Sequence, residues 1–94
     1  MMKELIEQLF EEKHGFYEYL EMAEEAVDPV HRQLFAKIAE DEMHHYKEIY
    51  GLIFKDKTHS NMNDIEKSFH HMATKECEKM KAALAEFKTT PVGK

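Results

Sequence analysis

The sequence predicts an all-α fold, built as a long antiparallel helical hairpin followed by a third helix. The chain has 94 residues with only three Gly and two Pro, and good helix formers fill most of the other positions. Apolar residues recur at steps of three and four in three separate stretches, which is the spacing of one helix face. This length accommodates one domain, which we assign to residues 1–88, with residues 89–94 as a flexible tail.

The first predicted helix runs from Lys3 to Val27. One position in its apolar series is occupied by Glu12 instead of an apolar residue. After this helix, Asp28 has the character of an N-cap, and Pro29 fits the first helical position, where its missing N–H costs nothing. A short turn is therefore expected between the first two helices. The apolar series consists of Leu5, Leu9, Phe16, Tyr19, Ala23 and Ala26.

The second predicted helix runs from Pro29 to about Phe54, and Glu42 and His45 fall on its apolar side. A polar connection follows, and it ends in a capping box formed by Asn63 and Glu66. The third helix should end near residue 88, because the Thr-Thr-Pro-Val-Gly segment beyond it cannot sustain a helix. The predicted buried positions are Val30, Leu34, Ile38, Ile49 and Ile53 in the second helix and Ile65, Phe69, Ala73, Met80, Leu84 and Phe87 in the third.

Charge and composition exclude several classes of function. The net charge of -6 provides no basic patch for nucleic acid or an anionic membrane surface. No apolar run approaches the length of a membrane span, and the N-terminal residues do not resemble a signal peptide. The single cysteine, Cys77, fits a reducing compartment, so a cytoplasmic protein is expected. A domain this small often gains stability by self-association, which favours a homodimer or a higher homo-oligomer.

Three polar residues on the predicted apolar faces form the candidate site: Glu12, Glu42 and His45. Carboxylates are rarely buried unless they are paired or bound to a metal, and for a single Glu the commoner explanation is a position at the bundle edge. Here the three positions agree with one another. Glu42 and His45 are three residues apart on one helix face, and all three residues lie roughly 20 to 25 Å from the turn. They are therefore expected to converge deep inside the bundle.

One chain supplies two carboxylates and one imidazole, which is half the ligand set of a two-metal site. A two-fold partner would supply the other half. Two Glu and two Glu-x-x-His pairs from four helices form the di-iron and di-manganese sites of carboxylate bundles. Iron and manganese both suit these ligands, and the expected content is two ions per dimer.

The residues around this site resemble the metal-binding hairpin of the ferritin-like superfamily, in rubrerythrins and in encapsulated ferritins alike. The resemblance covers the first two helices and includes a Glu, a small residue three positions later and a Tyr four positions after that. The segments that carry it are Glu12-Lys13-His14-Gly15-Phe16-Tyr17-Glu18-Tyr19 and Leu34-Phe35-Ala36-Lys37-Ile38-Ala39-Glu40-Asp41-Glu42-Met43-His44-His45.

The resemblance implies a ferritin-like four-helix bundle formed by two subunits. Full-length ferritins and rubrerythrins carry the hairpin twice, whereas this chain carries it once, which points to the half-size, dimerising encapsulated type. For that type the resemblance implies a ferroxidase that oxidises Fe(II) with O2 or peroxide for iron storage or detoxification. The metal ligands and catalytic residues would be Glu12, Glu42 and His45, and the partner could include a shell protein that forms a nanocompartment.

Two other functions remain open at this stage. The chain could bind iron or manganese without catalysis, because ligand chemistry alone does not select the metal. It could also be a metal-free helical interaction protein, because a fold does not establish a function. Among the other titratable residues, we expect His44, His70 and His71 to be mostly exposed and Cys77 to be an inert buried thiol.

Overall fold

The structure is a computed structural model, and it describes residues 2–89. The described residues form three α-helices and one short 3-10 helix, without strands, which confirms the all-α prediction. The predicted tail of residues 89–94 is described only at Thr89, which is the last residue of the third helix, and residues 90–94 lie outside the described part. The elements are α1 (Met2–Glu25), α2 (Pro29–Ile53), the 3-10 helix (His59–Asn61) and α3 (Asp64–Thr89).

The turn between α1 and α2 has the predicted form. The Asp28 side chain accepts a hydrogen bond from the Val30 amide at 2.8 Å, and Pro29 is the first residue of α2. Arg32 then joins the ends of three helices. Its guanidinium donates to the Ala23 carbonyl at 3.0 Å, at the end of α1, and lies 4.2 Å from the centre of the Phe87 ring of α3.

The connection to α3 also ends as predicted. The Glu66 amide donates to the Asn63 side chain at 2.8 Å, and the Asn63 amide donates to the Glu66 carboxylate at 2.9 Å. These two bonds form the capping box, which satisfies amide groups that the first turn of a helix leaves unpaired. Lys57 reinforces this end of the molecule through an ion pair of 2.8 Å with Glu66.

The core lies mainly between α1 and α2, which pack against each other along most of their lengths. α3 covers one side of this hairpin and contacts chiefly α2, where Tyr50 bonds to both His70 and Thr74. The buried residues of the main core are Leu9, Phe16, Leu20, Ala23, Ala39, Met43, Tyr46, Ile53, Met80, Leu84 and Phe87.

Three residues predicted to be buried are exposed instead. Val30, Leu34 and Ile65 keep 71%, 53% and 81% of their surface accessible. Val30 and Leu34 therefore do not belong to the buried side of α2, contrary to the prediction. The side that packs against α1 and α3 includes Ala39 and Met43, whose smaller or flexible side chains fit the close helix contact.

A stripe of α2 residues is exposed or only half-buried, and we call it the open face. Its members follow helical spacing and therefore share one side of the helix. Tyr50 and Phe54 contact α3. Leu52 lies two positions from each of them, which places it about 160° away around the helix. The open face thus points away from α3. It consists of Leu34, Ile38, His45, Ile49 and Leu52.

Candidate metal centre

Glu12, Glu42 and His45 meet in space. The His45 Nδ1 atom lies 3.5 Å from Glu12 Oε2 and 3.5 Å from Glu42 Oε1. One potential ligand atom from each residue lies within 4.8 Å of the other two. α2 presents Glu42 and His45 one turn apart, and the antiparallel α1 brings Glu12 to the same height. The predicted convergence is confirmed.

The site lies halfway along the hairpin but at its surface. The exposed fraction of the side chain is 12% for Glu12, 24% for Glu42 and 52% for His45. All three residues thus lie far from the ends of the hairpin, as expected, whereas their burial inside a two-chain bundle stays a prediction. His45 lies at the edge of the contact between α1 and α2, where its ring reaches Glu12 and still stays half exposed.

One carboxylate oxygen of Glu12 accepts a hydrogen bond, and the other does not. Gln8, one turn earlier in α1, donates its amide to Glu12 Oε1 at 2.7 Å. Glu12 Oε2 is buried and accepts no hydrogen bond. A buried acceptor without a partner costs free energy, of the order of 1 to 3 kcal/mol. Oε2 faces Glu42 and His45, so a cation between the three side chains would satisfy it.

The electrostatics of Glu42 point in the same direction. Burial, together with the neighbouring Glu12 carboxylate, raises the pKa of Glu42, and His45 only partly offsets this effect. Two carboxylates held this close repel each other when both are ionised. A divalent cation would reverse this repulsion, and its binding would release any proton that the pair retains.

The donor set fits iron or manganese. Carboxylate oxygens with one imidazole suit Fe(II), Fe(III) and Mn(II) better than they suit copper or a structural zinc, which prefer softer or nitrogen-rich sites. Three residues are too few to surround one such ion, and the exposed side of the cluster is the open face. Within residues 2–89, these residues form the only group of three or more His, Cys, Asp or Glu side chains close enough to bind a metal together.

The other residues considered from the sequence have ordinary roles. His44 is exposed, as expected. Tyr19 packs near Phe35, with ring centres 6.3 Å apart. His70 is half-buried, contrary to the expectation of an exposed pair, because its Nε2 atom bonds to Tyr50 at 2.8 Å. Cys77 is half-buried, and burial raises the pKa of its thiol, which favours the unreactive protonated form.

One buried carboxylate was missed from the sequence. Glu76 of α3 is only 8% exposed. It accepts a hydrogen bond of 2.6 Å from the Tyr17 hydroxyl and forms an ion pair of 3.4 Å with Lys13. The signal was present, because Glu76 fills the gap between Ala73 and Met80 in the apolar series, as Glu12 does in α1. Glu76 has protein partners for both oxygens, so it fastens α3 to α1 and needs no ion.

Comparisons with protein-family models, with curated proteins and with solved structures found no match to this chain. Across residues 2–89, none of the helices combines the length and the apolar character that crossing a membrane requires.

Proposed function

We propose that the chain is a ferroxidase whose di-iron site forms between two copies, with Glu12, Glu42 and His45 of each copy as ligands. The observation that carries the proposal is the convergence of these three side chains around Glu12 Oε2, a buried acceptor without a hydrogen bond. Ordinary packing would give such an oxygen a donor. The resemblance to encapsulated ferritins adds the expectation that the bound metal is iron.

The second copy is supported by the surroundings of His45. On the open face, Leu34 and Leu52 remain 53% and 57% exposed, and Ile38 and Ile49 are half-buried. Apolar side chains thus lie on both sides of an exposed ligand. An apolar surface of this kind is typical of a contact between subunits. A two-fold axis near His45 would cover the open faces of both chains and would bring two sets of ligands together.

The proposed reaction uses Fe(II) as the substrate. Two Fe(II) ions each lose one electron, and one O2 gains two electrons and two protons to give hydrogen peroxide. With peroxide as the oxidant, the same two electrons and two protons give two water molecules. Bound side by side, the two ions can deliver both electrons to one oxidant. The carboxylates of Glu12 and Glu42 would compensate the added positive charge, and each His45 would hold one position on one ion.

The test is to load the metal-free protein with Fe(II) under anaerobic conditions and then admit air. A rapid change in the ultraviolet-visible spectrum should follow, saturating at two irons per dimer, and the Glu42→Ala variant should lose it. Glu48→Ala is the matched control, because Glu48 is an exposed glutamate two turns along the same helix. This control should react as the unchanged protein does.

Other outcomes would favour the alternatives. Stoichiometric binding of iron or manganese without oxidation would indicate a non-catalytic metal-binding protein. Absence of bound metal in elemental analysis, together with unchanged or increased stability of Glu12→Leu and His45→Leu, would indicate a metal-free helical interaction protein.

A further inference from the structure

Gly15 lies inside α1, one turn after Glu12, at a position where glycine gives the helix no advantage. Glycine is the poorest helix former after proline. Its backbone there is ordinary helix, so no unusual dihedral angle requires it. The reason for a glycine must therefore be the space that a side chain would occupy.

That space is filled by Glu42. A Cβ atom on residue 15 would overlap Glu42 Oε2 and would lie 3.2 Å from Glu42 Cδ and 3.6 Å from Cγ. Cβ atoms in proteins essentially never approach another heavy atom more closely than 3.0 Å. The carboxylate of Glu42 consequently lies directly against the backbone of α1, beside Glu12.

We infer that Gly15 is a positioning residue of the metal centre, because the absent Cβ lets the Glu42 carboxylate lie against α1 next to Glu12. Its effect on metal binding rests on the function proposed above. The contact between residue 15 and Glu42 is independent of that function, because it concerns only the packing of the chain.

An alanine at position 15 should change the centre more than the fold. The overlapping atom is at the end of a flexible side chain, so Glu42 can rotate toward the solvent and relieve the overlap at small cost. The rotation separates its oxygens from Glu12 Oε2, with which they would share the ion. Substitutions that misplace a metal ligand through its neighbours typically weaken binding by tenfold to a hundredfold.

Gly51 provides a matched control. It is also a helical glycine, in α2, and a Cβ added there meets no atom within 4 Å. Gly51→Ala should therefore raise the Tm, by up to about 8 °C from helix propensity alone. Gly15→Ala has at least as large an intrinsic benefit, because residue 15 lies in the middle of α1, but it must also displace Glu42.

The first experiment is an anaerobic titration of the metal-free protein with Co(II), followed by its visible absorption. We expect Gly15→Ala to bind Co(II) at least tenfold more weakly with an altered spectrum, and Gly51→Ala to bind as the unchanged chain does. Equal affinity and an identical spectrum for Gly15→Ala would overturn the inference.

The second experiment distinguishes this inference from the proposed function, because it needs no metal. Thermal unfolding is measured for Gly15→Ala in the unchanged chain and in Glu42→Ala, with chelator present and at one protein concentration. The rise in Tm from Gly15→Ala should differ in the Glu42→Ala background, where the overlapping carboxylate is gone. Equal rises in Tm in the two backgrounds would refute the contact between residue 15 and Glu42. If the rises differ but the protein binds no Co(II), only the proposed function is refuted.

Discussion

Replacing Glu42 by glutamine should stabilise the metal-free protein while it impairs metal binding. The change removes one of two neighbouring carboxylates, and the new amide can donate a hydrogen bond to Glu12 Oε2, which otherwise accepts none. The ligand atoms of the two carboxylates lie within 4.8 Å of each other, and at that distance two unit charges repel by at least about 1 kcal/mol in water and about 3 kcal/mol at an effective dielectric constant of 20. His45 lies 3.5 Å from both carboxylates and offsets part of this repulsion.

We therefore expect Glu42→Gln to increase the free energy of unfolding at pH 7 by about 1 kcal/mol. The gain should depend on pH. Because the pKa of Glu42 is raised in the folded chain, the folded state binds the proton more tightly than the unfolded state does. The destabilisation by Glu42 is thus absent below the ordinary pKa of a glutamate, develops as the pH rises through the folded pKa, and is complete above it.

The measurement is urea unfolding at pH 4 and pH 7, with chelator present and at one protein concentration. Glu48→Gln is the control, because this exposed residue of the same helix should leave stability unchanged at both pH values. The reasoning would be refuted if Glu42→Gln destabilised the metal-free chain at pH 7, or if its gain were as large at pH 4.

Three further predictions follow from described contacts. Gln8→Leu removes the donor to Glu12 Oε1 and should weaken Co(II) binding about tenfold in an anaerobic titration, with the helical circular dichroism unchanged. Leu52→Glu places a charge on the open face and should separate the proposed dimer into monomers in analytical ultracentrifugation; a persisting dimer would contradict an interface there. Tyr17→Phe removes a 2.6 Å hydrogen bond to Glu76 and should lower the free energy of unfolding by about 1 to 2 kcal/mol in urea denaturation.

The helix boundaries could be predicted because the signals that set them are local. Asp28 and Pro29 define the start of α2, and Asn63 and Glu66 define the start of α3, through contacts within four residues of each position. The height of the candidate site followed from the same information. Once the turn is fixed, the rise of a helix places Glu12 opposite Glu42 and His45.

The lateral position of the site could not be predicted in this way. α2 carries apolar residues on more than one side, including Met43 toward the core and Leu34 on the open face. Their spacing identifies helix faces, but it does not tell which face packs inside the chain and which stays uncovered. That choice depends on where α3 docks, and therefore on distant contacts such as the pairing of Glu76 with Tyr17 and Lys13.

The outward position of His45 has a consequence for how the proposed activity depends on the amount of protein. Each chain alone offers three candidate ligands, so the proposed centre would be complete only where two chains meet. At concentrations below the dissociation constant of the pair, the number of complete centres therefore rises with the square of the subunit concentration. A twofold dilution of the protein would then reduce iron oxidation about fourfold, whereas an enzyme complete in one chain would lose only half its rate.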